Sequence, residues 1–277
     1  MSEILSQLKQ NDFVFKKKFG QNFITDKNLL DAICNDAQII STDEVLEIGT
    51  GAGTLTKALA EKCQNVVTLE IDNTLREFLA QQFNGISNIQ SYFADFMKVD
   101  AHEVNGKFTK PFKVVANLPY YITTPIIFKL VEEKYNVKSL TIMVQKEVAE
   151  RLVAKNGTKD YGSISVQLQA VADVEITRIV KRQMFNPQPN VDSAVVNICF
   201  NDNKYDIKNI KVLKRVIDVA FSMRRKTLSN CFKTKMNLTE DQITTLFNKL
   251  NIPLTIRGEA LSVEQFVELS NLLTEMY

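Results

Sequence analysis

The sequence contains no tryptophan, one histidine and four scattered cysteines, and each scarcity argues against a class of site. The single imidazole, His102, lies between polar neighbours in a predicted loop, which argues against a Ser-His-Asp triad or a histidine-held metal. No C-x-x-C pair occurs, so no disulfide framework or zinc site is predicted for Cys34, Cys63, Cys199 and Cys231. No apolar run approaches the about 20 residues of a membrane-spanning helix, so we expect a cytoplasmic protein with no membrane partner.

Positive charge is concentrated in one segment towards the carboxyl end. Ten basic and two acidic residues between Lys204 and Lys235 give this segment a net charge of +8. Since the whole chain carries +2, the remainder carries −6. With 277 residues, 45% of them hydrophobic, the chain is long enough for one large domain and a small one. The distribution of charge is therefore informative, whereas the total is not.

A glycine-rich stretch from Gly49 to Gly53 follows the apolar run Val45–Ile48 and precedes a predicted helix at 54–62. Glycines permit a ligand to approach the backbone closely, and a helix amino terminus adds N–H donors. Glu70 follows the next predicted strand, 21 residues after Gly49. A carboxylate at this place can accept both hydroxyls of an adenosine ribose, so the stretch predicts a nucleoside-cofactor site.

The spacing of the acid and the glycines indicates which cofactor. A nicotinamide fingerprint needs glycine at the position of Thr54, and the pattern is instead acid-x-G-x-G-x-G beginning at Glu47. That spacing resembles the S-adenosylmethionine loop, in which the acid approaches the amino-acid portion of the cofactor. Asp95 could accept the adenine amino group, with Phe96 packing on the ring. Alternatively, Asp95 only caps the turn that follows its strand.

The stretch Asn117-Leu118-Pro119-Tyr120 follows another apolar run, 112–116, and suits a nucleobase. Adenine N6 is a poor nucleophile because its lone pair is delocalised into the ring. An enzyme that attacks with N6 must hold it and accept its hydrogens, which the Asn117 carboxamide oxygen and the Leu118 carbonyl could do. The Tyr120 ring could stack on the base. The alternative is an ordinary strand-ending turn.

Alternating strands and helices predict an α/β fold with a doubly wound sheet, finished by a C-terminal antiparallel hairpin. The predicted strands are 45–48, 66–69, 89–92, 112–116 and 140–144, with the hairpin at 164–171 and 194–200. The predicted helices are 27–37 capped by Asp26, 54–62, 73–83, 125–133 with Pro125 at its first position, and 146–153.

A polar break at 201–203 and a change to helical periodicity predict a second domain. The first domain is predicted at 1–200, and a small all-helical domain that carries the basic segment at 201–277. Its predicted helices are 210–221, 227–232, 241–250 and 263–276. Capping boxes at Thr239/Gln242 and Ser262/Gln265 begin the last two.

Short motifs along nearly the whole chain occur in an order that is specific to one family. They are Lys18–Phe23, Leu46–Gly53, Glu70, Ala94–Phe96, Asn117–Tyr120, Val144–Arg151, Tyr161–Val166, Phe185–Ser193 and Phe221–Leu228. In this order they resemble the ribosomal RNA adenine N6-dimethyltransferases, and among these the bacterial small-subunit enzymes. The resemblance implies a Rossmann-like class I methyltransferase domain that uses S-adenosylmethionine and no metal.

The resemblance also implies roles for individual residues. Residues implied to bind the cofactor are Asn22, Ile24, Gly49, Gly51, Glu70, Asp95, Phe96 and Asn117. Residues implied to receive the target adenine are Asn117, Leu118, Pro119, Tyr120 and Phe185. Residues implied to grip RNA phosphates are Arg224, Arg225 and Lys226, with Lys214 and Arg215.

The implied substrate is a pair of adjacent adenines near the 3′ end of small-subunit ribosomal RNA. The implied partner is an assembling small subunit, on which a monomer acts. Asn156 and Asn190 stand where the family commonly has proline and lysine, and another expected proline before Phe185 is missing. These departures make the loop at 181–190 less basic and put local RNA contacts in doubt.

Three alternatives stay open. A large-subunit adenine methyltransferase typically has isoleucine and asparagine where Leu118 and Tyr121 stand. A non-catalytic RNA-binding assembly factor could use the same fold, but the intact cofactor residues disfavour it. A dehydrogenase is disfavoured by Thr54.

Overall fold

The computed structural model of the chain describes residues 21–201, 203–223 and 225–276. The first three residues of the 18–23 motif and the predicted RNA contact Arg224 lie outside this part of the chain. The strands are β1 Phe23–Ile24, β2 Glu44–Ile48, β3 Asn65–Glu70, β4 Ile89–Phe93, β5 Phe112–Asn117, β6 Val137–Gln145, β7 Ala172–Val180, β8 Phe185–Asn186 and β9 Ser193–Phe200. The helices are α1 Lys27–Asp36, α2 Thr54–Ala60, α3 Arg76–Gln82, α4 Ala101–Asn105, α5 Thr123–Glu132, α6 Lys146–Val153, α7 Ser163–Gln169, α8 Ile210–Phe221, α9 Leu228–Met236, α10 Glu240–Lys249 and α11 Val263–Met276.

The larger sheet has seven strands in the order β4-β3-β2-β5-β6-β9-β7. Strands β4, β3, β2, β5 and β6 pair in parallel, whereas β9 runs antiparallel to β6. The chain passes outward from β2 to β3 and β4, then returns to β5 on the other side of β2. The winding therefore reverses between β2 and β5, and doubly wound sheets bind ligands at the carboxyl end of such a switch point. The predicted fold class is confirmed.

The central strands are apolar because both faces of the sheet are covered. Every residue of β2 is buried, and so is β5 up to its last residue, Asn117. Outside the large sheet, β1 and β8 form a two-stranded antiparallel sheet in which Ile24 lies opposite Phe185. Burial thus explains the apolar runs, and the strand ends carry the polar residues.

Most helix predictions agree with the structure to within a few residues. Asp26 caps α1, and its side chain accepts a hydrogen bond from the Leu29 N–H at 2.8 Å. Pro125 is the third residue of α5 rather than its first, because the helix already begins at Thr123. His102 lies in α4 and not in a loop; the Asp100 side chain caps this short helix by accepting from the His102 N–H at 2.7 Å.

The strand predicted at 164–171 is wrong, since this segment forms helix α7. Its Ile-Ser-Val-Gln-Leu-Gln alternation is typical of a strand, but Val166 and Ala170, one helical turn apart, are both buried in a helical core. Ser165 closes the first turn by accepting a hydrogen bond from the Gly162 N–H at 3.1 Å. The strand beside β9 is instead β7.

The chain divides into two compact units. The first comprises 1–149 and 175–199, and the second comprises 150–174 and 200–277. Segment 150–174, assigned above to the first domain, belongs to the helical unit because its Tyr161, Val166 and Ala170 are buried with that unit's helices. None of the helices in the described part of the chain has the length and apolar character needed to cross a bilayer.

Two helices of the helical unit begin with the capping boxes that the sequence predicts. In α10, the Thr239 N–H donates to Gln242 Oε1 at 2.8 Å, and the Gln242 N–H donates back to Thr239 Oγ1 at 3.2 Å. Ser262 and Gln265 make the same reciprocal pair before α11, at 3.0 and 3.1 Å. Both predicted capping boxes are confirmed.

Candidate active site

The loop between β2 and α2 turns through glycines in the left-handed region, among them Gly49 and Gly51 with φ of 85° and 54°. The Gly49 N–H donates to the Leu69 carbonyl of β3 at 2.8 Å, which holds the loop against the neighbouring strand end. The Gly51 N–H donates to Glu70 Oε2 at 2.8 Å. The predicted cofactor loop and the predicted ribose carboxylate are therefore in direct contact.

Glu70 ends β3 as a nearly buried carboxylate. Its Oε1 accepts from the Asp72 N–H at 2.8 Å, so each oxygen is fixed by one backbone donor. Burial raises the pKa of Glu70, while the N–H groups of Asp72 and Gly51 oppose that rise. A carboxylate oxygen has a second acceptor site, so Glu70 can still accept hydroxyls presented from the pocket.

Glu47 is a second carboxyl group that lines the pocket from within β2, and only 1% of it is exposed. Thr56 Oγ1 donates to Glu47 Oε2 at 2.5 Å, and Thr68 also bonds the carboxyl group. Thr68 in turn shares a hydrogen bond with Thr50 of the glycine loop. Burial raises the pKa of Glu47 to about 8 against these threonine hydrogen bonds.

Asn117 lies at the carboxyl end of β5, beside the switch point. Its Nδ2 donates to the Asn22 carbonyl oxygen at 2.8 Å. The next residues of the same segment contact the start of α2: the Ile24 carbonyl accepts from Thr54 Oγ1 at 2.7 Å. Segment 22–24 thus links the end of β5 to the residue that follows the glycines, and the roles of Asn22 and Ile24 toward the cofactor stay predictions.

The turn after Asn117 is closed by its own backbone. The Pro119 carbonyl accepts from the Ile122 N–H at 3.1 Å and from Thr123 Oγ1 at 3.2 Å. Leu118 is buried and is one of the residues that line the pocket. The Tyr120 hydroxyl lies 2.7 Å from Ser193 Oγ, and burial raises the pKa of Tyr120.

One pocket collects most of the predicted site. Its lining includes Asn22, Ile24, Gly49, Gly51, Glu70, Asn117, Leu118, Pro119 and Tyr120. Sequence reasoning did not assign Gln21, Phe23, Thr50, Ala52, Leu55 and Ile71, which also line it. Each of these lies within or next to a sequence motif, and this adjacency is the signal that could have identified it as a pocket residue.

The family model described as ribosomal RNA adenine dimethylase matches residues 12–275. The chain belongs to the ribosomal RNA adenine dimethylase family. The predicted family and enzyme class, an adenine dimethyltransferase of ribosomal RNA, are therefore confirmed.

Named relatives agree with this membership. The chain is 42% identical to the ribosomal RNA small subunit methyltransferase A of Clostridioides difficile (strain 630), over 95% of this chain and 92% of that protein. It is 43% identical to the protein of the same name from Clostridium acetobutylicum, over 94% of each chain.

Two solved structures are similar. A dimethyladenosine transferase from Plasmodium falciparum has a TM-score of 0.76 at 27% identity, covering 91% of this chain and 98% of that chain. The 23S rRNA methyltransferase ErmE has a TM-score of 0.71 at 24% identity, covering 91% and 100% respectively, and shows a shared fold alone.

Two of the residues that the adenine dimethylase motifs assign to cofactor adenine do not line the pocket. Asp95 Oδ1 accepts from the Met97 N–H at 3.0 Å, and Asp95 caps a short 3₁₀ turn, as its alternative interpretation expects. Phe96 is buried against Tyr135, with ring centroids 5.6 Å apart. Their roles toward adenine stay predictions.

Phe185, the predicted aromatic contact of the target adenine, is also away from the lining. It is 4% exposed, and its backbone pairs with Ile24 across the small sheet. The loop that follows is held by Asp192, whose carboxylate accepts from the Arg182 N–H at 3.0 Å and from Lys181 Nζ at 2.9 Å. Hydrogen bonds from Lys181 and Arg182 lower the pKa of Asp192.

The predicted RNA contacts in the described part of the dimethylase lie on the helical unit. Lys214, Arg215, Arg225 and Lys226 are all exposed. The Arg215 guanidinium donates to the Lys235 carbonyl at the end of α9, at 2.8 Å. Arg215 therefore has a structural partner. Lys214 and Arg215 lie on α8, whose apolar residues are buried, whereas Arg225 and Lys226 follow this helix.

Proposed function

We propose that this chain transfers methyl groups from S-adenosylmethionine to N6 of two adjacent adenines near the 3′ end of small-subunit ribosomal RNA. The product is N6,N6-dimethyladenine, made during ribosome biogenesis. Family membership and the names of the 42–43% identical relatives support this proposal. The observation that carries it is the meeting of Asn117 with the glycine loop in one pocket at the switch point.

The pocket residues fit S-adenosylmethionine. The cofactor presents ribose hydroxyls and an amino-acid portion that carboxyl groups can hydrogen-bond, and the pocket is lined by two buried carboxyl groups, Glu47 and Glu70. A Cβ atom added at Gly49 would lie 3.9 Å from the Asn117 carbonyl oxygen, the nearest atom apart from the chain neighbours of Gly49, so the loop leaves space there. In the proposal Glu70 holds the ribose hydroxyls and Glu47 lies toward the amino-acid portion. When bound, the cofactor supplies a methyl group on a sulfonium leaving group.

The residues of the chain act chiefly by positioning the adenine. Because Asn117 Nδ2 donates to the Asn22 carbonyl, the Asn117 carboxamide oxygen is the end that can accept an N6 hydrogen. The Leu118 carbonyl accepts the second hydrogen, and the Tyr120 ring stacks on the base. No strong base is required, since the N6 proton can leave to water after transfer. The described residues that line the pocket include no histidine.

The substrate is proposed to be an assembling small ribosomal subunit in the cytoplasm, on which a monomer acts. A segment with a net charge of +8 binds phosphates without reading their sequence. Selection of two adenines therefore requires the shape of a particle in addition to charge. The helical unit is proposed to supply the phosphate contacts.

The test is methyl transfer from labelled cofactor to purified small subunits, large subunits and free RNA, with the modified positions mapped. We expect label on two adjacent adenines of the small subunit, and none with Asn117→Ala. Labelling of large subunits would favour the related large-subunit activity. No transfer to any of the three, despite binding of small subunits, would favour a non-catalytic assembly factor.

A further inference from the structure

Ser193 holds the far end of the Tyr120 ring. Its Oγ lies 2.7 Å from the Tyr120 hydroxyl. Ser193 is fully buried, and no other side-chain hydrogen bond of its hydroxyl is found among the described residues. A buried hydroxyl without a hydrogen-bond partner costs free energy, so burial of Ser193 favours its bond to Tyr120.

The position of Ser193 is fixed by the large sheet. It is the first residue of β9 and pairs with Gln145 of β6. The Lys146 N–H donates to the carbonyl of the preceding residue, Asp192, at 3.0 Å. Ser193 is thus anchored by its pairing with the last residue of β6 and by the bond between Asp192 and the residue that follows β6.

The same strand β6 also anchors Asn117. Asn117 pairs with Met143, which lies two residues before Gln145 on β6. The hydroxyl oxygen of a tyrosine lies on the axis of the second side-chain torsion, so a hydrogen bond there restrains the first torsion, which sets where the ring lies. The Ser193 bond therefore ties the place of the Tyr120 ring to the strand that positions Asn117.

We propose that Ser193 is a positioning residue, whose hydroxyl holds the Tyr120 ring at the place where it can stack on the target adenine. This proposal rests on the proposed function, in which Tyr120 receives the base. Ser193 itself does not touch the reacting atoms. Its loss should lower the rate of transfer and leave cofactor binding intact.

The experiment compares Ser193→Ala, Tyr120→Phe and the double variant with wild type. The readouts are kcat and KM for small-subunit particles, cofactor Kd by calorimetry, and Tm. Ser139→Ala is the matched control, because Ser139 is also a buried serine of the large sheet, but among the described residues its hydroxyl makes no hydrogen bond to a residue that lines the pocket. The double variant guards against misfolding, since it removes both hydroxyls and leaves neither partner unpaired.

We expect kcat to fall by about threefold to tenfold in each single variant, the range for a lost hydrogen bond of about 1 kcal/mol. The double variant should lose no more than the singles, because both changes remove the same contact. Cofactor Kd should stay within about twofold of wild type, and Ser139→Ala should keep full kcat.

The proposal is overturned if Ser193→Ala retains wild-type kcat, if the two effects multiply in the double variant, or if Ser139→Ala loses as much. An inactive wild-type protein would instead reject the proposed function, and this proposal with it. Active wild type with unchanged Ser193→Ala rejects only the role of Ser193.

Discussion

The side-chain amide of Asn117 donates a hydrogen bond to the main-chain carbonyl of Asn22, 2.8 Å away and 95 positions earlier in the chain. This bond orients the carboxamide, because the nitrogen is committed to Asn22 and the oxygen is the end left to accept. It also ties the end of β5 to the segment whose Ile24 pairs with Phe185. One hydrogen bond thus joins two parts of the predicted site.

Replacing Asn117 should separate transfer from cofactor binding. Asn117→Ala removes the proposed acceptor for the N6 hydrogen, so we expect kcat to fall at least about 100-fold. Glu70 and the glycine loop remain, so cofactor affinity should largely survive. Methyl-transfer kinetics and calorimetry with S-adenosylmethionine measure the two effects.

The matched control for this change is Asn105→Ala. Asn105 Nδ2 also donates to a distant backbone carbonyl, that of Lys134, at 2.8 Å, but it does not line the pocket. It should lose stability without losing kcat. Retained transfer in Asn117→Ala would remove Asn117 from the central role.

Gly51→Ala should weaken cofactor binding. The loss of affinity should exceed that of a control variant with the same loss of stability. A methyl group at Gly51 would meet the Phe23 ring at 3.0 Å, and Phe23 lines the pocket. Gly85→Ala is the control, because Gly85 also has a left-handed φ, of 80°, but nothing lies within 4 Å of an added methyl group. Both changes should cost about 1 to 2 kcal/mol for the left-handed backbone.

Only Gly51→Ala should raise the cofactor Kd, by about tenfold for a loss of about 1.4 kcal/mol. Urea unfolding and calorimetry on both variants test this. Equal Kd values for Gly51→Ala and Gly85→Ala would show that displacement of Phe23 does not matter to binding.

The sheet and the cofactor loop could be predicted because their signals are local. An apolar run followed by glycines, and an acid at the end of the next strand, are read within about 25 residues of sequence. The same holds for α1, whose cap Asp26 directly precedes it. Such elements were predicted to within a few residues.

The wrong secondary-structure prediction concerns a segment whose conformation is decided by tertiary packing. The alternation at 164–171 is typical of a strand, yet the segment is a helix because Val166 and Ala170 enter a helical core. Asp95 caps a turn in the structure, and its predicted contact with the cofactor adenine stays a prediction. Local sequence does not distinguish such cases.

Hydrogen bonds between residues far apart in the sequence could not be predicted, for a similar reason. Tyr120 and Ser193 are 73 positions apart, and both belong to motifs that give no sign of a bond between them. Their contact depends on β9 entering the sheet beside β6, which single-sequence periodicity does not specify.

Glu47 should make stability fall as the pH rises. Burial raises its pKa from 4.5 to about 8, so the folded protein holds a proton that the unfolded chain releases between those values. Its contribution to stability is present in full below about pH 4.5 and is lost as the pH rises through about 8. Glu47→Gln keeps an acceptor for Thr56 and removes the titration.

Urea unfolding at pH 5, 6, 7 and 8 tests this prediction. The stability of Glu47→Gln relative to wild type should rise across this range, by on the order of a few kcal/mol. The difference isolates Glu47, since the other groups titrate in both proteins. A difference that stays constant with pH would contradict the buried neutral carboxyl.

Removing exposed charges from the helical unit should weaken RNA binding uniformly and reduce its dependence on salt. Each lost phosphate contact lowers the slope of log K against log salt by about 0.7 to 0.9, so Arg225→Ala with Lys226→Ala should lower it by about 1.4 to 1.8.

The control replaces Lys208 and Lys233, which are ion-paired with Glu275 and Glu240. This control removes the same formal charge from the same unit, but it should change the slope less because those ammonium groups already have partners. Equal slopes for the two double variants would mean that net charge, and not an Arg225/Lys226 contact, governs binding.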